Sequence, residues 1–176
     1  EALITYFQYR PTENISTSGE SSRPAHEPVG DGAGQGWQSD FNDLVHANIS
    51  EGDLLPELPI PITHKLIVGG AVASQDFIPV HHNLPAARAA AMPDIFMNIL
   101  TTSGLCARYL SDWAGPGSRP HKLSLKLMAP NTPGDTMVMQ GRVSALEEHN
   151  KVNVDFAGKN NLGFHVTGSA TLSLQE

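Results

Sequence analysis

The stretch Pro93-Asp94-Ile95-Phe96-Met97-Asn98-Ile99-Leu100-Thr101-Thr102-Ser103-Gly104-Leu105-Cys106-Ala107-Arg108-Tyr109-Leu110-Ser111-Asp112-Trp113 decides how this chain folds. Ile95, Phe96, Ile99, Leu100, Ser103, Cys106, Ala107 and Leu110 recur at steps of three and four, the spacing of one helix face. Asp94, behind Pro93, suits a first turn, where negative charge is favoured, so a long helix is expected to begin there. Gly115-Pro116-Gly117 stops it after Trp113. The small residues Ser103, Gly104 and Ala107 suit close packing of this helix on a sheet.

Downstream, every signal is a strand. Leu123, Leu125 and Leu127 alternate with polar residues, and Pro130 to Asp135 turns the chain. Met137, Met139, Gly141 and Val143 alternate next, before a turn at Glu147 to Asn150. Val152, Val154 and Phe156 follow, then Lys159-Asn160-Asn161, then Phe164, Val166, Gly168, Ala170, Leu172 and Leu174. Four such runs read as an antiparallel meander. Upstream, Leu84 to Met92 is Ala-rich and fits a short helix. His64-Lys65-Leu66-Ile67-Val68 reads as a strand ending at Gly69-Gly70, and Pro56, Pro59 and Pro61 hold the preceding chain extended. One long helix against a curved antiparallel sheet is an α+β architecture.

Composition changes near residue 50. Residues 11 to 52 are rich in Ser, Gly, Pro, Asn and acids, with linker-like runs at 16–24 and 30–36. Residues 2 to 9 are more apolar, and Trp37, Phe41, Leu44 and Val45 are spaced for one short docking turn. Residues 1–53 are therefore expected to form an N-terminal extension, either a linker or a partner-docking arm, and residues 54–176 one domain. The net charge of −7 without a Lys/Arg cluster argues against nucleic acid and anionic membrane surfaces as partners. The single cysteine, Cys106, excludes an intrachain disulfide and sits on the apolar stripe as core. Residues 1–6 lack the basic start and apolar stretch of a signal peptide, so a cytoplasmic protein is expected. The opening Glu1 in place of Met reads as a processed or truncated product.

The chemistry concentrates in Ala73-Ser74-Gln75-Asp76-Phe77-Ile78-Pro79-Val80-His81-His82-Asn83. Pro79 forces a turning backbone, so Asp76 and His81 can converge on one water, and a carboxylate with an imidazole is suited to moving protons near neutral pH. The bland alternative is a capping acid and a surface histidine. His82 is expected to point away from its neighbour. No His or Cys spacing suits a metal, so none is expected. Ser103-Gly104 lacks a hydrolase elbow. Arg108, Arg119, His121 and Lys122 are read as solvated surface charge.

Asp76, Pro79 and His81, followed at the right distance by the long helix and the strand series, resemble the MaoC-like, or R-specific, enoyl-CoA hydratase family. The similarity covers residues 54 to 176. Val80-His81-His82, Asp94 to Thr101, Arg108-Tyr109, Asp112 to Pro116 and Gly158 to Thr167 further resemble the small MaoC-like subunits of actinobacterial steroid side-chain hydratases. The resemblance implies a hot-dog fold, a curved antiparallel sheet wrapped around one long central helix. It implies syn addition of water across the 2,3 double bond of a CoA thioester by Asp76 and His81. No resident cofactor is implied, because CoA belongs to the substrate. Partnership with a second MaoC-like chain in a heterotetramer, or otherwise a homodimer, is implied as well. In the family, a backbone N–H from a Gly after a His holds the thioester oxygen. Here that position is Asn98 after Met97, so the Asn98 N–H is expected as oxyanion donor, with Met97 beside the substrate. Ile78 likewise replaces a polar residue common before the proline. These departures leave a non-catalytic hot-dog subunit as the alternative, and a thioesterase on the same fold as a third reading.

Overall fold

The computed structural model describes residues 42–176. The apolar 2–9 segment, the linker-like runs and the expected docking residues Trp37 and Phe41 lie outside the described residues. The elements are β1 (Leu54–Pro61), α1 (His64–Ala73), α2 (Leu84–Ala89), α3 (Ile99–Ala114), β2 (Arg119–Leu127), β3 (Thr136–Glu147), β4 (Lys151–Asn160) and β5 (Gly163–Ser173). Single 3-10 turns lie at His46–Asn48 and Pro79–His81. The sheet has the order β1-β3-β4-β5-β2, antiparallel throughout.

The strands fall where alternation places them, but they do not form a simple meander. Only β3, β4 and β5 run as consecutive hairpins. β2 crosses to the far edge and pairs with β5, with Leu123 opposite Ala170 and Leu127 opposite Val166. Neighbours in a sheet are set by which apolar faces can share a core, which alternation within one strand does not report. The proline-rich stretch is itself a strand, β1. Pro is tolerated there because β1 is an edge, and its register with β3 slips between Leu55 and Leu58.

His64 to Val68 is the first turns of a helix, not a strand. Thr63 caps α1 by accepting a hydrogen bond from the Leu66 N–H at 3.0 Å. Ile67 and Ala71, four apart, are its buried face, so packing overrides the β-branched Ile67-Val68 signal. Gly70 lets α1 approach the first turn of α3, since a Cβ there would lie 2.2 Å from Thr101 Oγ1.

The central helix begins later than Asp94. Residues 95–98 are not helical, with Ile95 and Met97 buried, and Asn98, itself extended, is the N-cap of α3. The buried face is Thr102, Cys106, Tyr109, Leu110 and Ala114. Ile99 and Leu100, expected on the apolar stripe, are 41% and 51% exposed. Ala107 and Gly104 also face outward, so the small residues do not seat the helix on the sheet. α3 ends at Gly115, whose φ of 90° favours glycine and whose missing Cβ leaves room for the backbone of Asn42 and Asp43.

The core lies between α3 and the inner face of the sheet. Met137, Met139, Val143, Val152, Val154, Val166 and Leu172 are buried there with Cys106. Burial pushes the Cys106 thiol up to about 12, so it stays protonated and acts as core. Residues just before β1 are held to this body. Leu44 N–H donates to Ala114 O at 3.1 Å, and Val45 bridges Gln175 in parallel. Among the described residues no helix is long and apolar enough to cross a membrane.

Candidate active site

The site is assembled where α1 ends, the 3-10 turn passes and α3 starts. Helix α1 is closed by Ser74, after which Gln75 takes a left-handed φ of 57° and reverses the chain. Asp76 follows immediately, with its N–H donating to Ala71 O at 2.9 Å. Pro79 opens the 3-10 turn that carries His81 back toward Asp76. His81 Nε2 stands 3.5 Å from Asp76 Oδ2, and the two side chains are 7% and 16% exposed. The pair is thus nearly enclosed, yet one edge of the carboxylate meets the surface.

The imidazole has a fixed tautomer. His81 Nδ1 lies 2.7 Å from Phe96 O. A carbonyl can only accept, so Nδ1 carries the proton and, in the neutral ring, Nε2 presents its lone pair toward Asp76. The Phe96 ring meets the imidazole edge-on at 5.0 Å between centroids. Two acceptor atoms at 3.5 Å share no hydrogen and leave no space between them, but one water lying beside both can donate to each.

Asn98 completes the cluster in a way the sequence did not reveal. Its Nδ2 donates to Asp76 Oδ2 at 2.9 Å and to Ser74 Oγ at 2.8 Å. Its Oδ1 accepts the Thr101 N–H at 2.9 Å, capping α3. The Asn98 N–H, expected as oxyanion donor, has no acceptor among the described residues. It lies at the positive end of α3, which favours a developing negative charge. Met97 is not brought to the cleft. Its side chain is 2% exposed, and its N–H donates to Asn131 O. His82 points to solvent as expected, although it follows a 3-10 turn rather than an extended chain.

A second histidine lies beneath the same helix turn. His165, on β5, is fully buried, with Nδ1 2.6 Å from Ala129 O and Nε2 2.9 Å from Thr102 Oγ1. Its Nδ1–H serves the carbonyl, so the Thr102 hydroxyl donates to Nε2. Burial pulls this imidazole below its usual range, against a smaller opposing effect of the Ala129 carbonyl, and keeps it neutral. The long sequence separations, 22 residues from Asn98 to Asp76 and 63 from Thr102 to His165, hide both contacts from spacing arguments. An N-cap preference for Asn just before a helical run was the available signal for Asn98.

No protein-family model matches the chain. The 3-oxo-4,17-pregnadiene-20-carboxyl-CoA hydratase beta subunit of Mycobacterium tuberculosis is 40% identical over 125 residues, covering 71% of this chain and 96% of that subunit. A chain of the ChsH1-ChsH2 complex from the same organism superposes with a TM-score of 0.70 at 40% identity, over 72% of this chain and 98% of its own length. The R-hydratase PhaJ1 of Pseudomonas aeruginosa shares the fold at a TM-score of 0.71 and 20% identity, over 76% of this chain and 87% of its own. The (R)-hydratase of A. caviae does so at 0.67 and 23%, over 72% and 98%. Its curled antiparallel sheet around α3 is a hot dog, and with 40% identity across nearly all of a hydratase subunit, the chain belongs to the MaoC-like (R-specific) enoyl-CoA hydratase family.

Proposed function

We propose that this chain hydrates the 2,3 double bond of a steroid side-chain enoyl-CoA, using Asp76 and His81, as one subunit of a two-chain hot-dog assembly. The observation that carries this reading is the convergence of His81 Nε2 and Asp76 Oδ2 to 3.5 Å, with Nδ1 committed to Phe96 O. A water lying beside both atoms donates one hydrogen to each acceptor, which turns its lone pair toward C3 of the thioester. As a proton leaves the water, hydroxide adds to C3. Negative charge moves to the thioester oxygen, and the Asn98 N–H is the donor placed to receive it. The pair then returns the proton to C2 from the face where it took it, so the addition is syn. No resident cofactor is needed, since water is the nucleophile and CoA arrives with the substrate.

The steroid assignment rests on the relative with 40% identity, whose name specifies a pregnadiene carboxyl-CoA. The partner assignment rests on the ChsH1-ChsH2 complex and on what the fold leaves open. Strand β2 has a neighbour on one side only, and unpaired edges invite pairing. Val72, Phe77, Ile78, Ile99 and Leu100, next in sequence to the site residues, are exposed. Such an apolar rim suits a bulky acyl group or a second chain. A CoA thioester substrate and the unpaired Cys106 support a cytoplasmic location. The non-catalytic alternative rests on the Met97-Asn98 departure, and against it stands the Asn98 amide, which donates to Asp76.

Asp76→Asn and His81→Gln, each in the complex purified through this chain, should lower kcat by about 100- to 10,000-fold with assembly unchanged. Hydration of 3-oxo-4,17-pregnadiene-20-carboxyl-CoA is the assay. Full activity in both variants ends the reading, and equal turnover of crotonyl-CoA ends the steroid assignment.

A further inference from the structure

We infer that the Asn98 side chain is a positioning residue, which fixes Asp76 and ties it to the helix end that serves the thioester oxygen. The inference rests on the hydratase reading above and adds to it.

Every hydrogen-bonding group of this amide is used, and each use dictates the next. Ser74 Oγ–H donates to Gly70 O at 2.7 Å, so its lone pair faces Asn98. One Nδ2 hydrogen goes to that lone pair and the other to Asp76 Oδ2, while Oδ1 takes the Thr101 N–H. A flipped amide would set oxygen against the Asp76 carboxylate and an NH2 against the Thr101 N–H. The orientation is therefore determined by its neighbours, and Asn98 is almost fully buried. Asp76 has few other restraints. Its Oδ1 is 3.4 Å from the Ile78 N–H, and His81 is 3.5 Å from Oδ2. It sits on a loop whose next two side chains, Phe77 and Ile78, are exposed. Without the amide, the carboxylate is free to rotate away from the water it should share with His81.

The same residue is the N-cap of α3, so its backbone and side chain serve opposite ends of one reaction. The N–H lies where enolate charge develops, and the amide holds the group that handles the water proton. A displacement of either moves both. The titratable side chain facing Asp76 is His81, while Ser74 from the end of α1 and Asn98 from α3 are neutral.

Asn98→Asp separates capping from positioning, because Asp caps a helix as well as Asn does but presents oxygen where Asp76 needs a donor. In the purified complex the helix cap is kept, but a second carboxylate buried beside Asp76 should lower its melting temperature. Its kcat should fall about 100-fold, the cost of a misplaced catalytic group, with KM little changed. The acid limb of its kcat–pH profile should move to higher pH, as two carboxylates resist sharing a site. Asn98→Gly keeps a tolerated cap and adds no charge, so it should show the kcat loss without as large a limb shift, and it decides the matter if Asn98→Asp does not assemble. Parent-like kcat and pH profile in the folded variant, alongside an inactive Asp76→Asn, would reduce Asn98 to a helix cap. An active Asp76→Asn would instead bring down the hydratase reading itself.

Discussion

Two histidines flank the first turn of α3, and they are anchored alike. Each uses Nδ1 to donate to a backbone carbonyl, His81 to Phe96 and His165 to Ala129. Each therefore leaves Nε2 to face a second group, Asp76 for His81 and Thr102 for His165. On the loop flank, Nε2 stands 3.5 Å from a carboxylate oxygen, without a direct hydrogen bond between two acceptors, so that a water beside them can donate to both. On the sheet flank, Nε2 meets the Thr102 hydroxyl directly at 2.9 Å. On the proposed mechanism, the same ring in the same tautomer is reactive in one place and structural in the other. What separates them is the room left beside Nε2 and whether the neighbour can take a proton.

That contrast can be broken at His165. In His165→Leu the Ala129 carbonyl is left buried without its side-chain donor, while the Thr102 hydroxyl can still donate to Asn98 O, so a cost of about 1–3 kcal/mol of stability is expected. Turnover of the folded complex should stay within about tenfold of the parent, against the far larger loss at His81. A folded His165→Leu complex as inactive as His81→Gln would erase the distinction. The loop flank has its own packing limit at Gly70. Gly70→Ala places a Cβ against Thr101 Oγ1, so α1 must back away from α3. A cost of about 1–3 kcal/mol is expected, with a drop in kcat because Ser74 and Asp76 follow α1. Denaturant midpoints and kcat together check this.

Acid sharpens the comparison further. His165 is neutral when folded because its proton affinity is lowered by burial, while the unfolded chain takes a proton below the ordinary value of 6.5. The unfolded state then binds more protons, so stability is full above that value and declines as pH falls below it. The decline is at most about 1.4 kcal/mol per pH unit until the folded ring also titrates. Unfolding at pH 5.0–7.5 should show this slope in the parent and lose it in His165→Leu. The smallest effect is expected at Gln75, whose left-handed backbone suits glycine. Gln75→Gly should shift stability by less than about 1 kcal/mol, because relief of strain is offset by a more flexible unfolded chain. A larger loss would mean that the Gln75 side chain carries a contact of its own.

The parts legible from sequence are those whose cause is local. Alternation at Met137, Met139 and Val143, or at Val152, Val154 and Phe156, comes from one buried face per strand, and those strands stand where expected. The Asp76–His81 approach was legible because Pro79 compels a turn between them. Readings failed where a distant contact overrides a local pattern. Ile67-Val68 suggests a strand until Thr63 caps it as a helix. Asp94 suggests a helix start, but His81 needs the Phe96 carbonyl and Asn131 takes the Met97 N–H, so the helix waits for Asn98. The placement of β2 beside β5 also depends on residues about 40 positions away, such as Lys126 opposite Thr167. At Asn98, family comparison drew attention to the backbone alone, and the side chain proved to touch Asp76.

The pairing of Val45 with Gln175 brings the first and last described segments together, beside Ala114. α3 has 16 residues, which at about 1.5 Å each sets that junction roughly 24 Å from the Asn98 end. Cargo fused at either end of this body would therefore emerge on one pole while hydration proceeds at the other. The closeness also lets residue 176 be spliced to residue 42 by a short peptide, with new ends opened in the 148–150 hairpin. Such a circular permutant would retain every contact around Asp76, since none of them crosses the cut or the splice.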